Sequence, residues 1–247
     1  MNKTIQDLRV KVFADGADKA GMIALYRNPI VKGFTTNPTL MRKAGIADYE
    51  AFARDVLHAI PDRPISFEVF SDDHAEMEEQ ARLIAGWGRN VYVKIPITNS
   101  VGDSSVPTIR RLARQGIQLN VTALFTLEQV EATCTAIGGK VPAVISVFAG
   151  RIADTGVDPC PVMIDAKKIT QRYDDCELLW ASPREVLNIF QADDVACDII
   201  TVSNDLLAKL EHVGKDLEQF SLETVQMFRT DAVKAGFCLR PPQRKAA

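Results

Sequence analysis

Histidine is scarce in this chain, and what there is lacks pattern. His58, His74 and His212 show no HxH or HxxxH pairing, so no pair has metal-ligand spacing and each reads as a helix-surface residue. No histidine metal site is expected. Cysteine is little better organised. Cys134, Cys160, Cys176, Cys197 and Cys238 are odd in number and form no CxxC, which argues against a disulfide framework and for a reducing compartment. No apolar run reaches transmembrane length, and Met1–Asp7 has no signal-peptide core. A membrane is therefore not an expected partner, and the cytoplasm is the expected location. A dominant charge is missing too. The net charge of −3 with 25% charged residues gives no reason to expect nucleic acid. The one basic cluster, Arg240–Lys245, reads as a solvated tail. There is no GxGxxG, no Walker sequence, no linker and no low-complexity stretch.

What remains is a 247-residue chain, 47% hydrophobic, with ample length for a sizeable core. Short apolar runs alternate with stretches of helical period. The strand candidates are 10–15, 31–36, 65–70, 91–96, 117–122, 143–147, 178–182 and 199–202. Several are apolar at successive positions, as expected of parallel strands covered on both faces. Helices are expected at 17–26, 48–60, from Asp72 or Asp73 to 87, from Ser104 or Ser105 to 116, from the capping box at Thr126 to Gly138, and at 161–173, 183–190 and 203–213. Eight strand–helix units without a break in composition predict a single (β/α)₈ (TIM) barrel over residues 1–214. An open doubly wound sheet is the alternative. Residues 215–247 are expected to add a C-terminal helix, capped by Ser221, and a tail. Leu222, Val225, Phe228, Ala232 and Val233 fall near helical spacing with Met227 beside them. Such a helix packs either on its own barrel or on a neighbouring subunit of a homo-oligomer.

The fourth strand, Val91-Tyr-Val-Lys-Ile-Pro96, carries one lysine in an otherwise apolar run. Lysine is rarely buried unless paired or chemically employed. Desolvation favours the neutral amine, a nucleophile that condenses with carbonyls. Lys94 is thus a candidate Schiff-base former, or else a lysine that snorkels from a strand end. In a (β/α)₈ barrel the chemistry lies at the C-terminal strand ends, and polar residues gather there. They are Asp15, Thr35 with Asn37, Glu68, Lys94, Asn120 with Thr122, Ser146 followed by Phe148 and Arg151, Ser182 with Arg184, and Thr201. Each has an ordinary explanation alone: Asp15 and Ser182 as caps, Asn37-Pro38 as a turn, Glu68 as a structural partner of Lys94, the arginines as surface charges. Together they suit an amine attacking a ketone, carboxylates moving protons, two arginines binding a phosphate, and Asn and Ser meeting sugar hydroxyls.

Seven stretches resemble the transaldolase family of class I, Schiff-base-forming aldolases. They are Phe13-Ala-Asp15-Gly, Gly33-Phe-Thr-Thr-Asn-Pro-Thr-Leu40, Phe67-Glu-Val69, Val93-Lys-Ile-Pro96, Leu119-Asn-Val-Thr-Ala-Leu-Phe125, Ser146-Val-Phe-Ala-Gly-Arg-Ile152 and Ala181-Ser-Pro-Arg184. The resemblance implies a (β/α)₈ barrel and transfer of a dihydroxyacetone unit between phosphorylated sugars, as in pentose phosphate metabolism, with no metal and no organic cofactor because the lysine itself serves as electron sink. It implies Lys94 as the nucleophile and Asp15 as the acid/base of carbon–carbon cleavage, with Glu68 and Thr122 holding a proton-relaying water. Asn37 and Ser146, supported by Asn120, would bind hydroxyls, Arg151 and Arg184 the phosphate, with Thr35, Phe148 and Ser182 in the same pocket. The family's fructose-6-phosphate aldolase branch carries Gln and Tyr where this chain has Glu68 and Phe148, so the resemblance points to transfer rather than net cleavage. The segment around Pro183 and Glu185 departs from the Ser-Phe-Arg-Asn type of run more common in the family. A barrel that binds a phosphosugar without turnover is the rival of another class.

Overall fold

A computed structural model describes residues 3–239; the basic cluster Arg240–Lys245 lies outside them. Eight parallel strands close into a barrel in sequence order. They are β1 (Lys11–Asp15), β2 (Val31–Thr35), β3 (Ile65–Glu68), β4 (Val91–Pro96), β5 (Leu119–Leu124), β6 (Ala143–Val147), β7 (Cys176–Trp180) and β8 (Ile199–Ser203). Between them run α1 (Lys19–Tyr26), α2 (Pro38–Lys43), α3 (Tyr49–Ala59), α4 (His74–Ala85), α5 (Val106–Arg114), α6 (Leu127–Ile137), α7 (Ala149–Asp154), α8 (Pro159–Thr170) and α9 (Leu187–Asp194), then α10 (Asn204–Ala208) and α11 (Leu217–Lys234). The alternation in the sequence thus has the outcome it predicts, and the open sheet is excluded. Among the described residues no helix is long and apolar enough to cross a membrane. The five cysteines are free thiols.

Strand alternation builds two cores. Outward side chains such as Val93, Ile95, Val121, Ile145, Val147, Ile200 and Val202 pack against the helices in one large cluster. Inward side chains form a smaller cluster of Phe13, Val144, Leu179, Ala181 and Ile199, with Tyr92 and Phe148 against it. Two residues further along each of these strands, on the same face, stand Asp15 after Phe13, Lys94 after Tyr92, Ser146 after Val144 and Thr201 after Ile199. The barrel is therefore plugged with apolar side chains below and polar at its C-terminal mouth, as layered barrel interiors are. Gly33 makes room for the plug: a Cβ there would sit 2.5 Å from Phe13 Cζ.

The structure departs from the expected elements in several places. The short helices α2 and α7 fall inside stretches too brief to show helical period. The helix expected from Pro183 starts only at Leu187, so Ser182 is not its cap; Ser182 instead takes a left-handed backbone (φ 62°). The last helix starts at Leu217, and its cap is Asp216, whose carboxylate accepts the Gln219 N–H at 2.9 Å; Ser221 lies inside it. No residue of α11 is buried. Its Leu222, Val225, Met227, Phe228 and Val233 are exposed, while Phe220 near its start lies against His212 and Lys215.

Gly33→Ala forces Phe13 or the strand to shift, and overpacking of this kind costs roughly 1–3 kcal/mol. Urea unfolding of the variant is expected to show a lower midpoint with an unchanged slope.

Candidate active site

Lys94 sits on the polar layer, 8% exposed. Its ammonium donates to the Thr36 carbonyl at 3.1 Å and forms an ion pair with Glu68 Oε2 at 3.2 Å. Glu68 and Asn120 are its register partners on β3 and β5, so strand pairing itself sets these three side chains abreast. The alternative of a lysine snorkelling into solvent is excluded. A charge this far from water is tolerated because it is paired and hydrogen-bonded.

Around Lys94 the other side chains are tied in two chains of hydrogen bonds. On one side Thr35 Oγ1 donates to Asp15 Oδ1 at 2.7 Å and meets Thr201 Oγ1. On the other, Ser146 Oγ donates to Asn120 Oδ1 at 2.6 Å, and Asn120 Nδ2 donates to Ser66 Oγ at 2.9 Å. Asn120 is thereby fixed at both ends, while Ser146 keeps free lone pairs. Thr122 Oγ1 is buried without a partner among the described residues, so it can bond a group entering from the mouth. Asn37 caps α2, accepting the Leu40 N–H at 3.0 Å, which leaves its amide NH₂ unspent.

These residues line one cavity of about 450 Å³. It contains every side chain singled out from the sequence, Asp15, Thr35, Asn37, Lys94, Asn120, Thr122, Ser146, Phe148, Arg151, Ser182 and Arg184, except Glu68, which stands behind Lys94. Sequence reasoning missed Thr39, Leu40 and Lys43 from α2, which also line the cavity, and Ser66, the anchor of Asn120. Lys43 had one signal, its place one helical turn after Thr39 at the mouth of β2. Ser66 had none.

The rim carries the cations. The Arg151 guanidinium lies 5.0 Å from the centre of the Phe148 ring, a cation–π contact that holds it over the opening. Arg184 is gripped by Asp154, with Nε 2.9 Å from Oδ1 and the second bond to Oδ2. The hydrogen bonds from Arg184 hold the Asp154 carboxyl below the usual carboxylate range. Both partners are about half exposed, and solvent screens such surface pairs so that they contribute little. A phosphate can therefore share or take the guanidinium at small cost. The turn that carries Arg184 is set by α7. Gly150 comes so close to the Ser182 carbonyl that a Cβ would lie 1.6 Å from its oxygen. Asn188 Oδ1 accepts the Arg184 N–H at 2.7 Å.

Asp15 is the electrostatic outlier. Burial pushes its carboxyl above the ordinary range, against the pull of the Lys94 charge and the Thr35 hydroxyl. A carboxyl raised in the folded state contributes stability at low pH and loses it as pH rises through its folded pKa. Asp15→Asn is therefore expected to melt higher than the wild type at pH 7, with the difference shrinking as pH falls towards 4. A lower melting temperature at pH 7 would contradict the reading of Asp15 as a carboxylate held in place against its solvation.

Residues 12–238 match the family model described as transaldolase/fructose-6-phosphate aldolase. A probable transaldolase of Dehalococcoides mccartyi is 33% identical over 202 residues, covering 81% of this chain and 90% of the relative. A probable transaldolase of Streptococcus pyogenes matches with the same identity and coverage. Among solved structures, KGPDC from Streptococcus mutans superposes with a TM-score of 0.54 at 11% identity, covering 79% of this chain and 88% of that one. A second structure of the same protein, solved as a complex, gives a TM-score of 0.51 at 13% identity over the same shares. At such identity the likeness speaks to the barrel fold alone.

Proposed function

Since the chain belongs to the transaldolase/fructose-6-phosphate aldolase family, we propose that it is a transaldolase, moving a dihydroxyacetone unit from a ketose phosphate to an aldose phosphate through a Schiff base on Lys94. The donor is of the sedoheptulose 7-phosphate or fructose 6-phosphate type. The observation that carries this reading is the Lys94 amine on the floor of a polar cavity, 3.2 Å from one carboxylate and in the field of a second whose proton affinity is raised.

The steps follow from that layout. Glu68 takes a proton from Lys94, and the free amine adds to the ketose C2. The carbinolamine loses water to give the iminium, with Glu68 and Thr122 relaying protons through a water between them. Asp15 takes the proton of the C4 hydroxyl as the C3–C4 bond breaks and the aldose phosphate leaves. The C3–C4 electron pair passes into the iminium and yields an enamine. The acceptor aldehyde is attacked by that enamine, its alkoxide recovers the proton from Asp15, and hydrolysis frees Lys94. A carboxyl with raised proton affinity suits this double duty. Asn37 and Ser146 are assigned to the dihydroxyacetone hydroxyls, with Asn120 supporting. Arg151 and Arg184 are assigned to the phosphate, where charge-assisted bonds are strongest. Phe148 brings no hydroxyl to the enamine, which supports transfer over release of free dihydroxyacetone. The free thiols suit a cytoplasmic setting.

We further assign α11 to an interface with a second copy of the chain. Helices of this kind draw most of their stability from packing an apolar face, and none of the 18 residues of α11 is buried. The flank of the barrel between α3 and α4 offers a receiving groove of about 340 Å³ with Phe70 and Leu83 exposed in it. A chain ending at Gly214 is expected to show a smaller assembly by light scattering. An unchanged mass removes the interface.

Borohydride reduction in the presence of fructose 6-phosphate is expected to leave one adduct, mapped by mass spectrometry to Lys94. Lys94→Met is expected to abolish ketose exchange across a donor–acceptor panel while keeping the folded circular dichroism spectrum. Steady release of dihydroxyacetone from fructose 6-phosphate alone would instead identify an aldolase. An adduct on another lysine would overturn the assignment of Lys94.

A further inference from the structure

Tyr49 lies outside the cavity, on the first turn of α3, and the reaction steps make no use of it. Its hydrogen bonds give it a part. β2 and β3 pair through only two residues each, Phe34 with Ile65 and Thr35 with Ser66. The Thr36 N–H extends the ladder by donating to the Ser66 carbonyl at 3.1 Å. Continued in the parallel pattern, the ladder would next take the Glu68 N–H to the Thr36 carbonyl, and the Glu68 carbonyl to the N–H of residue 38. Residue 38 is proline and has no N–H. Both backbone groups of Glu68 turn to Tyr49 instead. The N–H donates to the phenol oxygen at 2.8 Å, and the phenol donates to the Glu68 carbonyl at 2.9 Å. The Thr36 carbonyl, released from the ladder, accepts Lys94 Nζ at 3.1 Å.

The phenol is held where it must be. The Tyr49 ring stands edge-on to Phe67 and Phe70, with centroids at 6.3 and 5.8 Å, and tilts against Trp87 at 5.6 Å. Burial raises its pKa well beyond the ordinary tyrosine value, so the hydroxyl keeps the proton that it donates to the Glu68 carbonyl.

We propose that Tyr49 is a positioning residue of the reaction: by capping the Glu68 backbone it frees the Thr36 carbonyl for Lys94 and aims the Glu68 carboxylate at the same nitrogen. This rests on the reading of Lys94 as the Schiff-base nucleophile. Without the hydroxyl, the Glu68 N–H is one ladder step from retaking the Thr36 carbonyl. Lys94 then shares that acceptor with a backbone donor, and the Glu68 carbonyl is left without a donor at the end of β3, where an unpaired group is costly.

A double-mutant cycle tests this, because residues acting through one another are non-additive. Wild type, Tyr49→Phe, Glu68→Gln and the double variant are compared for kcat, KM and the rate of borohydride-trappable adduct formation with fructose 6-phosphate, each normalised to the folded fraction. Tyr49→Phe is expected to lower kcat and the trapping rate about tenfold or more with KM within about twofold, and to cost markedly less in the Glu68→Gln background, where only the effect through the Thr36 carbonyl remains. Should Tyr49→Phe not fold, 3-fluorotyrosine at position 49, similar in shape but a weaker acceptor for the Glu68 N–H, enters the same cycle with a smaller expected loss. Equal losses in both backgrounds, or none from Tyr49→Phe, overturn the inference while leaving Lys94 in place. A wild-type protein with no adduct at Lys94 overturns the parent reading and this inference with it.

Discussion

An ammonium withdrawn from water needs partners, and Lys94 finds a carbonyl acceptor at 3.1 Å and a carboxylate counter-charge at 3.2 Å. Most of the site's construction can be read as supplying that pair. The carboxylate is available because β3 and β4 pair Glu68 with Lys94 in register. The carbonyl is available because the β2–β3 ladder stops at Thr36, where Pro38 and the Tyr49 hydroxyl end it. Removing one member of a buried pair typically costs 3–5 kcal/mol through the charge left behind. The lysine is thus a structural tenant of the mouth as well as a candidate nucleophile.

The barrel supplies the remaining constraints by alternation. Inward positions hold Phe13, Tyr92, Val144 and Ile199 in one layer and Asp15, Lys94, Ser146 and Thr201 in the next. The apolar layer closes the floor, so the polar layer above it is only partly solvated. That partial solvation raises the proton affinity of Asp15. It also leaves Thr122 Oγ1 buried and free to bond an incoming group. The two arginines, by contrast, stay at the rim in solvent. There Phe148 and Asp154 orient them without tying up much binding energy.

Much of this was legible in the chain because a parallel barrel maps sequence period onto place. An apolar run ending in one polar side chain puts that side chain at the mouth, which is how Lys94, Ser146 and Asp15 could be found. The gaps have physical causes as well. Ser66 matters through the Asn120 amide, and Thr36 through its carbonyl, which every residue type carries equally. Tyr49 reads as one more apolar-period residue of α3, and only in the folded chain does its hydroxyl replace a ladder partner. The six-residue helices α2 and α7 are too short to show a period, so Lys43 passed unnoticed. The left-handed turn at Ser182 displaced α9 from where Pro183 suggested it would begin. The apolar spacing of α11 was readable, yet amphipathicity alone cannot say which surface the apolar face meets.

The central claim is that Lys94 Nζ becomes the covalent partner of a ketose inside this cavity. A crystal structure of the protein reduced with borohydride in the presence of dihydroxyacetone addresses it most directly. The account predicts continuous density from Lys94 Nζ to the C2 carbon of the adduct, with the hydroxyls of the adduct within hydrogen-bond reach of Asn37 and Ser146. An unmodified Lys94, still bonded to Glu68 and the Thr36 carbonyl while another lysine carries the adduct, would contradict it.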